Sequence, residues 1–208
     1  MKNKLSIVII SIILAIVIII SWTMLVSPQY SLKQLKKGSS RNEVIVFDKY
    51  VDLDSTIDSA IEQIWQYYSN QPTEDQKNSW VDLRNEIGHS LLSLVKPNLK
   101  EIAKREVYNY VIQGEFGSTD SKRDSKLTSW ITGIITEKIN PKNWEFQTIN
   151  YAKIRGGFAF LGLTYYDKSK QANFLMEVRM RNMSRYWQIV EILNISQIMN
   201  IFLNINNN

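Results

Sequence analysis

The spacing of apolar residues changes several times along this chain. From Leu5 to Val26 every residue is uncharged and most are Ile, Val or Leu. At about 1.5 Å per residue such a helix spans roughly 30 Å, the thickness of a bilayer core. A cleaved secretory signal would have a shorter apolar run ending in small residues, whereas Trp22-Thr23-Met24-Leu25 is a poor cleavage site. The pattern therefore predicts an uncleaved transmembrane signal anchor over residues 1–27. Pro28 stops it, because proline has no amide to continue the ladder.

Beyond Pro28 the period is helical. Tyr30, Leu32 and Leu35 precede a break at Gly38-Ser39-Ser40, and Val44, Phe47 and Val51 predict a second short helix. Ile57, Ile61, Ile64, Trp65 and Tyr68 form a wide apolar stripe ending near Pro72. A third stripe starts near Thr73 or Ser79 and runs through Trp80, Leu83, Ile87 and Leu91; Pro97 is expected to end or kink it. Gly114 to Lys126 reads as a loop, and Leu127 to Ile139 as a short helix closed by Asn140-Pro141.

From Ile149 the period drops to two. Breaks at Gly156-Gly157, Asp167 to Gln171 and Arg181 to Arg185 separate β-rich runs, and Gly-Gly between two such runs is a tight-hairpin signal. Phe174, Met176, Val178 and Met180 alternate with Leu175, Glu177, Arg179 and Arg181, as a strand with one buried face requires. The expectation is an antiparallel meander of about four strands, then a helix from Ser196 to Phe202 and an asparagine tail. A helical first half followed by hairpin-linked strands makes the fold class α+β. Of the 208 residues, roughly 180 remain beyond the anchor, which suits one domain, 28–208, better than two.

Composition narrows the partners. The net charge is +5, of which Lys2 and Lys4 belong to the leader, leaving +3 for the rest. This falls short of the basic stripe of a nucleic-acid binder, so no nucleic acid is expected. The dense basic cluster, Lys33 to Arg41, stands next to the anchor, where it would meet anionic lipid headgroups. With no cysteine, disulfides and thiolate metal sites are excluded. Positive charges nearly balance across the apolar segment; the very short basic leader favours a cytoplasmic N-terminus and an extracytoplasmic domain on the cytoplasmic membrane.

The sharpest chemical candidate is Asp52-Leu53-Asp54-Ser55-Thr56, which spells the Asp-x-Asp-x-Thr of haloacid-dehalogenase-like phosphotransferases. That chemistry needs its carboxylates at the end of an apolar strand in a parallel sheet, beside Mg²⁺. The preceding residues, Asp48-Lys49-Tyr50-Val51, are no such strand, and hairpin-linked strands are antiparallel. A calcium loop counted from Asp52 puts Ile57 where glycine is required and Gln63 where glutamate should be. The aspartates read instead as a joint: Asp54 or Ser55 capping a helix, Asp58 in its first turn, and Asp52 finishing the preceding helix.

These aspartates carry a resemblance. Ser27-Pro28, Tyr30, Leu32 and Leu35, with Phe47 and Tyr50-Val51-Asp52-Leu53, resemble the opening of a bacterial family catalogued as domain of unknown function 2939. Trp187-Gln188-Ile189-Val190-Glu191-Ile192 is similar to the terminal strand of that family and of nuclear-transport-factor-like cone folds. The resemblance implies an N-terminal membrane segment, a cone-like α+β fold and no assigned activity.

His89, the one histidine, reads as a helix residue with Glu86 as a neighbour rather than a metal ligand. No nucleophile elbow, phosphate loop or zinc motif is present, and no cofactor is expected. Gly162 inside a strand marks a bulge or a close approach. The more suggestive feature is charge on the sheet. Glu177, Arg179 and Arg181 share one face of a strand; Tyr151, Lys153 and Arg155 share a face of another. If the two faces coincide, Tyr151, Lys153, Arg155, Arg179 and Arg181 surround a shallow site for an anionic small ligand. The expected function is a non-enzymatic, membrane-anchored envelope module that binds a partner protein or such a ligand. The alternative is a cone-like ligand carrier or enzyme with a pocket between sheet and helices.

Overall fold

The computed structural model describes residues 12–16, 25–69, 79–115 and 141–204, with backbone alone at 68–69, 79–95 and 203–204. Residues 12–16 are helical, with Ile12, Ile13, Leu14 and Ile16 exposed. Most of the predicted anchor lies outside the described residues, and among those described no helix is long and apolar enough to cross a membrane. The predicted Leu127 to Ile139 helix and the asparagine tail also lie outside them.

After the helical residues 12–16, four helices precede the sheet: α1 (Pro28–Ser39), α2 (Val44–Tyr50), α3 (Leu53–Ser69) and α4 (Ser79–Gln113). A 3-10 turn, Pro141–Asn143, leads into β1 (Trp144–Arg155), β2 (Phe158–Asp167), β3 (Ala172–Asn182) and β4 (Trp187–Ile192), and α5 (Ile195–Asn204) follows. The strands form one antiparallel sheet in the order β1-β2-β3-β4, so the α+β meander is as the sequence reads. Gly156 and Gly157 both have positive φ, at 59° and 78°, as a primed hairpin turn demands.

One face of the sheet is the core. Ala159, Leu161 and Met180 have no exposure, and Leu163, Val178 and Trp187 are nearly as deep. Each large apolar side chain so placed contributes about 1.5–3 kcal/mol through removal from water. α1 crosses this face: Leu32 packs on the cluster, the buried Ser31 accepts from the Trp187 amide at 2.9 Å, and Lys36 lies over the Phe146 ring. α5 covers the far end, with Ile198 and Phe202 against Phe174 and Trp144. Gly38 is buried because α2 comes so close that a Cβ there would run into Val46.

In α4 the helical pattern runs on past Pro97, which does not end the helix. The helix is 35 residues long, although an interior proline typically costs about 3 kcal/mol. Contacts to α3 sit on both sides of the proline: Lys96 meets Asp58 and Glu62, Lys100 meets Asp54 and Asp58, and Lys104 meets Asp54. These pairs and the buried Leu99 place α3 against α4 on both sides of the proline.

Candidate functional site

The aspartate pair is the joint between α2 and α3, but its roles are redistributed. Asp52, rather than Asp54 or Ser55, is the cap: its carboxylate accepts the Ser55 amide at 3.0 Å and the Ser55 hydroxyl at 2.9 Å. α3 starts at Leu53, earlier than its apolar stripe suggests, because the preceding residues are fixed by the sheet. Val51 forms a parallel bridge with Ile189, and the Asp52 amide donates to the Ile189 carbonyl at 2.7 Å. Asp54, one residue inside the helix, faces α4. With a helix before it and a cap after it, the motif lacks the strand end that phosphoryl transfer requires.

The second candidate, the charged sheet face, is assembled by register. Residues directly opposite in a ladder share a face. Tyr151, Gly162 and Glu177 lie opposite one another; so do Lys153, Phe160 and Arg179, and so do Arg155, Phe158 and Arg181. The five residues read from the sequence therefore lie on one face of the sheet, three on β1 and two on β3, with β2 between them. They do not gather into one site. The Tyr151 hydroxyl donates to Glu177, and that bond, with burial, pushes the phenol up to about 12. Lys153 sits over the Tyr151 ring with its ammonium 5.3 Å from the centroid. Arg155 is exposed at the hairpin end. The close approach at Gly162 is made by the Tyr151 ring, which occupies the space a Cβ would need.

Arg179 and Arg181 belong elsewhere. With Phe158, Val190 and Glu191 they form the sheet wall of a cleft of about 360 Å³; Ser55, Asp58, Ser59 and Glu62 of α3 form the other wall. An irregularity in the β3–β4 pairing, opposite Arg179 and Met180, inserts Val190 into the floor. Gln63 fixes α3 against the sheet, donating to the Ile192 carbonyl at 2.6 Å and accepting the Ile195 amide at 3.1 Å. Ser59 donates to Glu191 at 2.8 Å.

Charge in the cleft is paired. Arg181 contacts Asp52 at 2.9 Å and donates to Gln188 at 3.3 Å. Burial alone would raise the Asp52 pKa, but the Ser55 amide and hydroxyl and the Arg181 guanidinium outweigh it and hold it below the usual 3.8. Arg179 lies over the Phe158 ring at 5.3 Å, and its Nη2 approaches Glu191 Oε2 to 2.6 Å. That approach is an ion pair without the alignment of a hydrogen bond. Arg179 Nε and Glu191 Oε2 are both buried and lack a hydrogen-bond partner among the described residues. Asp58 and Glu62 on the opposite wall are held by Lys96 and Lys100.

Sequence reasoning missed Ser55, Ser59, Asp58, Glu62, Phe158, Val190 and Glu191 as neighbours of the arginines. A signal for part of this was present. Asp54, Asp58 and Glu62 recur every fourth residue, as do Lys96, Lys100 and Lys104, the spacing of two helix faces built to pair. His89 and Glu86 fall where only backbone is described. Among the described residues no group of three or more His, Asp or Glu gathers as a metal site. The chain matches no protein-family model, no curated protein and no solved structure.

Proposed function

We propose that the chain is a single-pass envelope protein, anchored by Leu5 to Val26, whose extracytoplasmic domain binds a small polar ligand in the cleft between α3 and the sheet without transforming it. The membrane reading rests on the uncharged length of that segment, and the resemblance to the domain of unknown function 2939 agrees with it. The binding reading rests on one observation: Arg179 Nε and Glu191 Oε2 are buried in the cleft wall without an aligned partner. Buried polar atoms without a hydrogen bond are uncommon in folded proteins; Arg179 Nε has none and Glu191 Oε2 has only the Arg179 Nη2 ion pair, so a ligand offering both an acceptor and a donor would complete the two together.

The paired charges select the ligand class. Both arginines already face carboxylates, and α3 adds two more acids, so a compact anion gains little here. A neutral polyol or a zwitterion, carrying both bond types, fits better, and Phe158 offers an apolar surface to its carbon skeleton. The serines are not nucleophiles in this geometry. Ser55 and Ser59 donate to Asp52 and Glu191, and a carboxylate is too weak a base to activate a hydroxyl.

Thermal melting of the full chain in nanodiscs, with a neutral disaccharide, a zwitterionic amino acid or inorganic phosphate, tests this reading. A shift with the disaccharide or the zwitterion that survives Ser59→Ala, which leaves the cleft open, and disappears in Ser59→Phe, which fills it, is the expected result. Stabilisation by phosphate alone replaces it with an anion site. A shift unaffected by Ser59→Phe, or no shift at all, defeats it.

A further inference from the structure

Nothing separates the apolar segment from the sheet. Its last residue, Val26, accepts the Trp187 indole N–H at 2.7 Å, and five residues on, Ser31 accepts the Trp187 amide at 2.9 Å. Trp187 opens β4, so the chain leaves the apolar segment directly at one end of the sheet. Both exposed hairpin tips lie at that same end. Phe158 pairs with Arg181, Asn182 pairs with Trp187, and the Asn182 amide donates to the Gly157 carbonyl at 3.0 Å.

The composition of the two tips is unusual for solvent-facing turns. From Lys153 to Phe158 and from Arg181 to Trp187 there is no acidic residue. Arg155 and Arg185 are exposed, and Lys49 reaches the same end over the Tyr186 ring. Between them stand exposed apolar side chains, Ile154 at 63% and Met183 at 38%. Asp48, the nearby acid on α2, accepts the Tyr108 hydroxyl.

Resting on the membrane-anchor reading, we propose that the β1–β2 and β3–β4 hairpin tips form a docking surface for an anionic lipid bilayer, with Ile154 and Met183 entering the headgroup region and Arg155, Arg185 and Lys49 meeting lipid phosphates. The missing linker is the main argument. A chain reaches at most about 3.6 Å per residue, so a sheet end held at the last apolar residue stays within headgroup distance. Charge complementarity is the second: each basic residue near an anionic leaflet strengthens adsorption about five-fold.

This surface differs from the basic cluster that sequence adjacency suggests. α1 carries Lys33, Lys36 and Lys37 across the core face, and Lys36 is placed over Phe146. Phe146 lies nine positions along β1 from Arg155, roughly 30 Å at strand spacing. Tips distant in sequence take the place beside the membrane.

The absence of cysteine allows a clean test. Single nitroxide labels at Leu14→Cys, Ile154→Cys, Met183→Cys and Lys168→Cys, in the full chain reconstituted into phosphatidylcholine vesicles with and without phosphatidylglycerol, are compared by collision with oxygen and with a water-soluble nickel chelate. Expected is bilayer depth for position 14, headgroup depth for 154 and 183 with phosphatidylglycerol, and water for 168 at the opposite end. Arg155→Glu with Arg185→Glu should return 154 and 183 toward water. Bilayer depth at 14 with water at 154 and 183 overturns the docking surface alone. Water at 14 overturns the anchor beneath it.

Discussion

The two faces of one sheet are built on opposite principles. On the core face Ala159, Leu161, Val178 and Met180 interlock beneath α1, α5 closes the far end over Phe174, and their stability comes from excluded water. On the other face Tyr151 meets Glu177, Arg179 meets Glu191 and Arg181 meets Asp52, each a polar partnership at partial exposure. Close packing makes the first face unforgiving of volume change and chemically silent. The second tolerates solvent, contributes less to stability and holds two buried polar atoms, Arg179 Nε and Glu191 Oε2, that lack a hydrogen bond among the described residues.

The largest expected effect is therefore on the core face. Leu161→Ala should lower unfolding free energy by about 2–5 kcal/mol, read by urea denaturation of the chain from Leu25 onward. A loss under 1 kcal/mol would mean that the apolar face is not where stability resides. Gly162→Ala comes next, at about 1–3 kcal/mol, because a methyl group there displaces the Tyr151 ring. Adding Tyr151→Ala should restore most of the loss. If the double variant is no better than the single, the strain lies in the backbone and not in the ring.

The joint gives the smallest and most informative differences. Asp52→Ala removes a cap worth about 1 kcal/mol and leaves Arg181 with Gln188 as its remaining side-chain partner. Asp54→Asn, at an exposed ion pair, should cost only a few tenths of a kcal/mol and lose its effect in high salt. Both carboxylates have folded pKa values below the ordinary 3.8: hydrogen bonds with Ser55 and Arg181 outweigh burial at Asp52, and Lys100 and Lys104 act on Asp54. Their contribution is present above pH 3.8 and fades as pH falls through the lowered folded values. Lys100 has its pKa raised by Asp58 and Asp54, so its share is present below 10.5 and is lost as pH rises through the folded value. Removing Asp52 should flatten the acid limb of a stability-against-pH curve more than removing Asp54; the reverse order would place the critical carboxylate on the α3–α4 seam.

The meander was legible because its signals are local. Gly156-Gly157 and the alternation from Phe174 to Arg181 act over neighbouring residues, and burial of one face locks the register. The cap was legible in kind but misplaced by two or three residues, at Asp54 or Ser55 instead of Asp52. The bridge from Val51 to Ile189 decides where α3 starts, and that contact spans most of the chain. Pro97 was legible only as an end or a kink: local propensity does not show that α3 packs along both sides of it, with Leu99 buried there. The cleft was half visible. Alternation put the arginines on a common face with Tyr151 and Lys153, but it is silent on which helix covers them and which acids that helix brings.

The Val51–Ile189 bridge has one more consequence. An outer strand with unpaired backbone groups is a template on which other chains add, and proteins suppress this by covering or interrupting it. Here the short segment before α3 lies across the open side of β4, while β1 at the opposite border carries pairing irregularities after Phe146 and Ile149 and charged residues along its length. The segment that looks like a catalytic loop in the sequence thus covers part of a strand border on which a second copy could otherwise add, with Val51 and the Asp52 amide as the covering groups. Asp52 variants that still fold should form oligomers in proportion to how far Val51 is released, a growth visible by light scattering before any loss of helix.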